Sequence, residues 1–215
     1  MAKLNVDILE KVAYQKIKQM ILSRKLPPGQ KIVQDKLADS LGISRTPLRS
    51  ALQMLEAEHL VESIPRRGVI VKSFTDEEII EIYDCRIALE SMAFRLFTQR
   101  AKPSAIEKLR NLFAPFADQI DPIDPQEYRT ADITFHDTVV RQCGNSFLRK
   151  LFQQGNLLLY IDRIGLVRPP EETLPEHLEI IRAIAQQDAD QAEALAKEHL
   201  IRSQQLIIAQ TQHGS

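Results

Sequence analysis

Three histidines and one aspartate stand at spacings suited to holding a metal ion. Asp132 and His136 are four residues apart, so a helix places both on one face, beside Phe135 and Val139. His177 sits among Leu174, Ile180, Ile181 and Ile184, and His199 between Leu195 and Leu206. All three histidines therefore project from apolar stripes that face a core. A single histidine in such a place is usually a hydrogen-bonded core residue. Three of them with a carboxylate cost free energy unless they satisfy one another or share an ion. Imidazole nitrogens with one carboxylate suit a divalent transition metal such as zinc, nickel or manganese, and leave coordination positions open. Spacing alone fits both a metal site and a polar core network.

Arg86 and Asn145 are the next polar candidates. On a surface helix Arg86 would form an i,i+4 ion pair with Glu90. It follows Ile82-Tyr83 and precedes Ile87 and Leu89, however, on a helix that a bundle must largely bury. An arginine aimed into a metal-bearing cavity suits a carboxylate through its bidentate fork, which predicts a small organic acid as ligand. Asn145 either faces the same cavity or shapes the turn before a helix at Ser146.

A second chemistry lies near the N-terminus. The stretch Gln34 to Arg49, QDKLADSLGISRTPLR, reads as a short helix, a tight turn and a second helix. Ser44 is placed to cap the second helix by accepting from the Thr46 N–H, and Pro47 falls in its first turn. Leu48, Ala51, Leu52 and Leu55 recur at helical spacing and face inward, leaving Arg45 and Arg49 one turn apart on the other face. Arginines there can grip guanine edges or clamp phosphates, while Thr46 and Ser44 suit backbone contacts. From Leu60 the period changes to two. Leu60 to Ile64 and Val69 to Lys72 flank the turn Pro65-Arg66-Arg67-Gly68, giving a hairpin with a basic tip. A helix-turn-helix followed by such a hairpin is a winged helix, whose wing reaches flanking backbone or minor groove.

Those groups need two frames to position them. Residues 1–74 carry 13 Lys+Arg against 7 Asp+Glu, a net +6, and residues 75–215 carry 15 against 22, a net −7. The overall charge of −1 conceals a basic domain joined to an acidic one, and the basic one has the electrostatic footprint of DNA binding. In the first domain a helix over about Glu10 to Arg24 turns Tyr14, Ile17 and Ile21 inward. Beyond the join, Thr75 and Glu78 form a capping box. Six helices are expected, roughly Asp76 to Ala101, Ala105 to Asp118, Pro125 to Cys143, Ser146 to Gly165, Glu171 to Gln187 and Ala189 to Gln212. Ser104 with Glu107 and Asp124-Pro125 with Glu127 supply further capped starts. The expected fold is mainly α: a winged helix-turn-helix domain over 1–74 and an all-α six-helix bundle over 75–215. Cys85 and Cys143 sit in helical apolar patterns and read as reduced core thiols. No signal segment or membrane-length apolar run appears, so a soluble, cytoplasmic protein is expected.

Two resemblances extend this reading. LPPGQKI, LADSLGISRTPLRSALQMLEAEHLV and PRRGVIV, spanning Leu26 to Val71, resemble the N-terminal domain of the GntR family of bacterial transcription regulators. The resemblance implies DNA contacts at Lys36, Arg45, Thr46 and Arg49, Ser44 at the helix start, and Arg66 and Gly68 in the wing. Arg24 and His59 stand where that family commonly has glycine, so local adjustment is expected there. YDCRIALE, DITFHDTVV with GNSF, EHLEIIRAI and AKEHL resemble the FCD effector domain of the FadR-type branch. That likeness implies a divalent metal on Asp132, His136, His177 and His199, and the six expected helices suggest the shorter, VanR-like subgroup. Together these imply a dimeric repressor of operator DNA, not an enzyme, controlled by a small carboxylate. The competing readings are a metal-dependent enzyme acting on a small organic acid, for which no general base stands out, and a DNA-binding protein with a purely structural metal.

Overall fold

The computed structural model describes residues 2–117, 119, 122–155 and 157–213. Among them the chain forms ten helices and one two-stranded sheet, and divides into two compact units, 1–74 and 75–215.

The first unit holds α1 (Ala2–Leu22), α2 (Gln34–Leu41), α3 (Arg45–Ala57), β1 (Val61–Ile64) and β2 (Gly68–Val71). Helix α1 starts eight residues before the expected Glu10, because the stretch Ala2 to Leu9 carries no glycine or proline to stop it. Ala13, Tyr14, Ile17 and Ile21 of α1 pack with the buried face of α3, which is Leu48, Ala51, Leu52 and Leu55. Tyr14 donates to Glu58 Oε1 at 2.5 Å and Lys18 to Glu58 Oε2 at 2.7 Å, fixing α1 against the end of α3. Gly42 ends α2 in the left-handed region (φ 67°), which makes the tight turn into α3. The strands pair antiparallel with Val61 opposite Val71 and Ile64 opposite Gly68.

Arg24 and His59 do not adjust away from the conformation that glycine would favour. Both hold positive φ, 56° and 54°. Each costs about 1 kcal/mol for a residue with a Cβ, so the surrounding packing overrides the local preference.

The second unit is all helical: α4 (Asp76–Arg100), α5 (Pro103–Ala117), α6 (Pro125–Gln142), α7 (Ser146–Gln154), α8 (Leu157–Ile164), α9 (Pro170–Ala185) and α10 (Ala189–His213). Seven described helices replace the expected six, because the segment from Ser146 to Gly165 breaks at Gly155. Glycine costs about 1 kcal/mol in a helix interior. A Cβ there would also stand 3.2 Å from the Leu151 carbonyl. The helix count on which the VanR-like assignment rested is thereby removed. Asp118, the expected end of the second helix, lies outside the described residues, as does Ser215.

Thr75 caps α4 through the reciprocal box with Glu78, and Asp124 caps α6 by accepting from the Gln126 and Glu127 N–H groups. Ser104 is not a cap. Pro103 already occupies the first position of α5, where its fixed φ and missing N–H suit a helix start. Helices α4 and α10 pack along one another, and α9 lies against α10 and α5. The core between α4, α5, α6 and α9 is aromatic: Phe94, Phe97, Phe113, Tyr128 and Phe135 are fully buried. Truncating any one of these phenylalanines to alanine would cost about 3–5 kcal/mol. This dry wall carries the polar groups described next.

Candidate functional site

Helix α6 bears Tyr128, Asp132 and His136 at successive four-residue steps, one stripe facing the bundle interior. His177 enters from α9 and His199 from α10. The four candidate ligands offer atoms that all lie within 4.8 Å of one another. Asp132 Oδ1 stands 3.3 Å from His177 Nε2 and 3.8 Å from His136 Nε2. The three imidazoles are buried, while Asp132 is only partly so.

Each histidine uses Nδ1 outward. His136 Nδ1 meets Glu90 Oε2 at 2.5 Å, His177 Nδ1 meets the Tyr128 hydroxyl at 2.8 Å, and His199 Nδ1 meets Glu176 Oε2 at 2.7 Å. The Nε2 atoms of His136 and His177 are buried without a hydrogen-bond partner. Unpaired buried nitrogens are costly, and here they converge on one carboxylate oxygen. Outer partners on Nδ1 with Nε2 turned inward are what imidazole needs to ligate a cation. The residues present therefore fit a divalent metal. Burial, reinforced by the neighbouring His199 and His136, pushes His177 well below its ordinary pKa, and burial outweighs Glu176 to lower His199 too. Both stay neutral near pH 7, the form that ligates.

Two ion pairs enclose the cluster. Arg86 is buried, donates from Nε to Glu90 Oε1 at 2.7 Å and stacks on the Tyr83 ring with 4.8 Å to its centroid. The pairing with Glu90 and the inward position, which the sequence set against each other, both hold. Burial raises the Glu90 carboxyl, but Arg86 and His136 outweigh it and hold it at about 2. Arg168 lies in the α8–α9 connection. It donates from Nη1 to Glu176 Oε1 at 2.8 Å, from Nη2 to Glu176 Oε2 at 2.5 Å, and from Nε to Ser203 Oγ at 3.1 Å. Against the cost of burial, Arg168, His199 and Arg202 hold Glu176 far below the usual carboxylate range.

Arg86, Asp132, His136, Arg168, Thr173 and His199 line one small cavity of about 20 Å³, room for little more than a water molecule. Asn145 does not line it. Its side chain caps α7 by accepting from the Phe147 and Leu148 N–H groups, so the expected role at the effector site is corrected to a helix cap. Glu90 was legible only as the partner of Arg86. Tyr128, Arg168, Thr173 and Glu176 went unread, although the four-residue step from Tyr128 to Asp132 was a visible signal.

In the first unit Lys36, Arg45, Thr46 and Arg49 are exposed, on α2 and the first turns of α3. Arg45 Nε lies 2.7 Å from Asp35 Oδ1, with both side chains mostly in solvent. Such a pair is worth about 0–1 kcal/mol and gives way readily to a phosphate or base. Ser44 occupies the cap position of α3 in extended conformation, but its side chain makes no capping bond, contrary to the expected bond from Thr46 N–H. Its hydroxyl stays available at the helix start. Arg66 and Gly68 form the exposed hairpin tip, both with positive φ (64° and 85°).

A helix-turn-helix with a wing, joined to a helical unit with a buried His/Asp cluster, defines a two-domain regulator. Comparison with known proteins agrees. The family described as bacterial regulatory proteins, gntR family, matches residues 9–71, and the FCD domain matches residues 81–202. The chain belongs to the GntR family of transcription regulators, in the FadR-type branch that carries an FCD domain. It is 29% identical over 193 residues to the uncharacterized HTH-type transcriptional regulator YdhC of Bacillus subtilis, covering 87% of this chain and 84% of that protein. It is 27% identical over 182 residues to the gluconate operon transcriptional repressor of Bacillus licheniformis, covering 81% and 74%. Its fold is similar to that of a GntR transcriptional regulator from Rhodococcus sp. RHA1, with a TM-score of 0.74, 22% identity, and 94% and 98% of the two chains covered. No described helix is long and apolar enough to cross a membrane.

Proposed function

We propose that the chain is a homodimeric repressor that reads a pseudo-palindromic operator and is controlled by a small carboxylic acid bound beside a divalent metal. Arg45 and Arg49 read or clamp the major groove, assisted by Lys36, Ser44 and Thr46, and Arg66 and Gly68 carry the wing to the flanking backbone. Asp132, His136, His177 and His199 would hold the ion, and the chemistry of the donor set suits zinc, nickel or manganese. When bound, it supplies a cationic centre with open positions for an anionic oxygen. Arg86 orients the carboxylate, with its charge pinned by Glu90. The acid controls the operator only by binding one state of the regulator better than another.

The observation that carries this reading is the orphaned, buried Nε2 atoms of His136 and His177, converging on Asp132 while every Nδ1 is engaged outward. Elemental analysis of protein purified without chelator tests it. Close to one divalent ion per chain is expected, and His177→Ala should lose most of it. Absence of metal after incubation with zinc, nickel or manganese would reduce the cluster to a polar core network.

A second reading is favoured by the small size of the cavity, about 20 Å³, which admits an organic acid only if its lining moves apart. On that reading the metal is purely structural. Acids would then leave operator affinity unchanged.

A further inference from the structure

The three outer partners of the histidines differ in kind. Glu90 and Glu176 are carboxylates, which accept a hydrogen bond from Nδ1–H and fix the tautomer of His136 and His199 with Nε2 bare. Tyr128 is a phenol, able to donate to His177 Nδ1 or to accept from it. Its oxygen also lies 2.9 Å from Thr173 Oγ1, which in turn stands 3.3 Å from the Pro169 carbonyl.

We propose that Tyr128 and Thr173 form a hydrogen-bond relay whose direction reverses when the cluster takes up a cation, making Tyr128 the positioning residue that sets the tautomer of His177. The inference rests on the metal-binding reading above. It concerns a step that reading does not include.

The chain of heavy atoms permits two complete arrangements. In one, Thr173 donates to Tyr128, Tyr128 donates to His177 Nδ1, and His177 carries its proton on Nε2, facing Asp132 Oδ1 at 3.3 Å. In the other, His177 Nδ1–H donates to Tyr128, Tyr128 donates to Thr173, and Thr173 donates to the Pro169 carbonyl, leaving Nε2 bare. The partly buried carboxylate of Asp132 favours the first while no cation is present, because a proton facing it offsets its charge. A cation held by His177 through Nε2 would require the second, because only a bare Nε2 has a lone pair to offer. The balance is neutral: His177 loses one proton at Nε2 and gains one at Nδ1 by exchange with water, and each hydroxyl keeps one proton and only turns it. Ring rotation cannot substitute for the tautomer change. His177 is fully buried and stacked on Phe113, with centroids 4.7 Å apart and planes at 20°. The relay ends at Pro169, beside Arg168 in the connection that lines the cavity, so the loading state of the cluster is written into that connection's hydrogen bonds.

Long-range proton–nitrogen spectra of the full chain labelled in histidine test this, read metal-free and after titration with zinc. His177 should be protonated on Nε2 without zinc and on Nδ1 with it, whereas His136 and His199 should be protonated on Nδ1 in both states. Tyr128→Phe and Thr173→Val should each weaken zinc binding about tenfold or more. The double variant should be no weaker than Tyr128→Phe alone, since both break one chain. Zinc uptake with His177 protonated on Nδ1 throughout would overturn the relay and leave the metal site standing. Unchanged zinc affinity in both single variants would do the same. Failure of the unsubstituted protein to take up zinc at all would overturn both, and the titration alone tells that case apart.

Discussion

Arg45 and the buried histidines illustrate how differently a polar side chain behaves at the surface and in a core. Arg45 reaches solvent, and in the proposed complex with DNA it would lose only a weak ion pair with Asp35. Arg45→Ala should therefore weaken specific operator binding by about 1–3 kcal/mol, measured by fluorescence anisotropy, with metal content unchanged. An unaltered affinity in both Arg45→Ala and Arg49→Ala would remove α3 from the interface. His177 and His199 are held neutral by burial, and this gives stability a pH dependence in the metal-free protein. Their folded-state pKa values lie below the unfolded value of about 6.5, so the unfolded chain binds more protons just below that pH. Stability should be full above about 6.5 and fall as pH drops through it, by up to about 1.4 kcal/mol per histidine per pH unit. Melting of chelator-treated protein at pH 7.5 and 5.5 checks this, and equal melting temperatures would contradict it. Glu90 and Glu176, both depressed, add their own losses only under more acid conditions.

At the scale of elements, periodicity and caps carried most of the fold. The inward faces of α1 and α3, the hairpin, and the caps at Thr75 and Asp124 follow from local rules that a sequence displays directly. Gly155 was passed over because the apolar period continues on both sides of it, and only the crowding at the Leu151 carbonyl adds to its helix cost. The candidate ligand cluster was legible because each member sits on a helical stripe. Its supports were less so, since Arg168 and Glu176 meet His199 only through the packing of α9, α10 and the connection before α9. No spacing rule brings a connection residue to a particular carboxylate. The left-handed residues mark where local preference and tertiary structure disagree. His59 is exposed with φ 54°, so His59→Gly should relieve about 1 kcal/mol of backbone strain, partly offset by the greater freedom of glycine in the unfolded chain. A thermal melt should show a small gain in stability. A clear loss would mean that the His59 side chain contributes more than its conformation costs.

The whole molecule divides its charge as it divides its work: a basic unit for DNA and an acidic unit whose buried ion pairs balance around a candidate metal. The proposed function requires the two to be coupled, and coupling is reciprocal. An acid that changes operator affinity by some factor must have its own affinity changed by operator DNA by the same factor. It should also raise the melting temperature by mass action. The most direct measurement is operator affinity of the metal-loaded full chain, on DNA selected from random sequences, across a panel of small carboxylic acids. The account predicts an acid that shifts the affinity in the unsubstituted protein and not in Arg86→Ala, whose affinity without acid stays close to normal. A panel without effect on operator affinity or melting temperature, or an Arg86→Ala protein that responds in full, would contradict it.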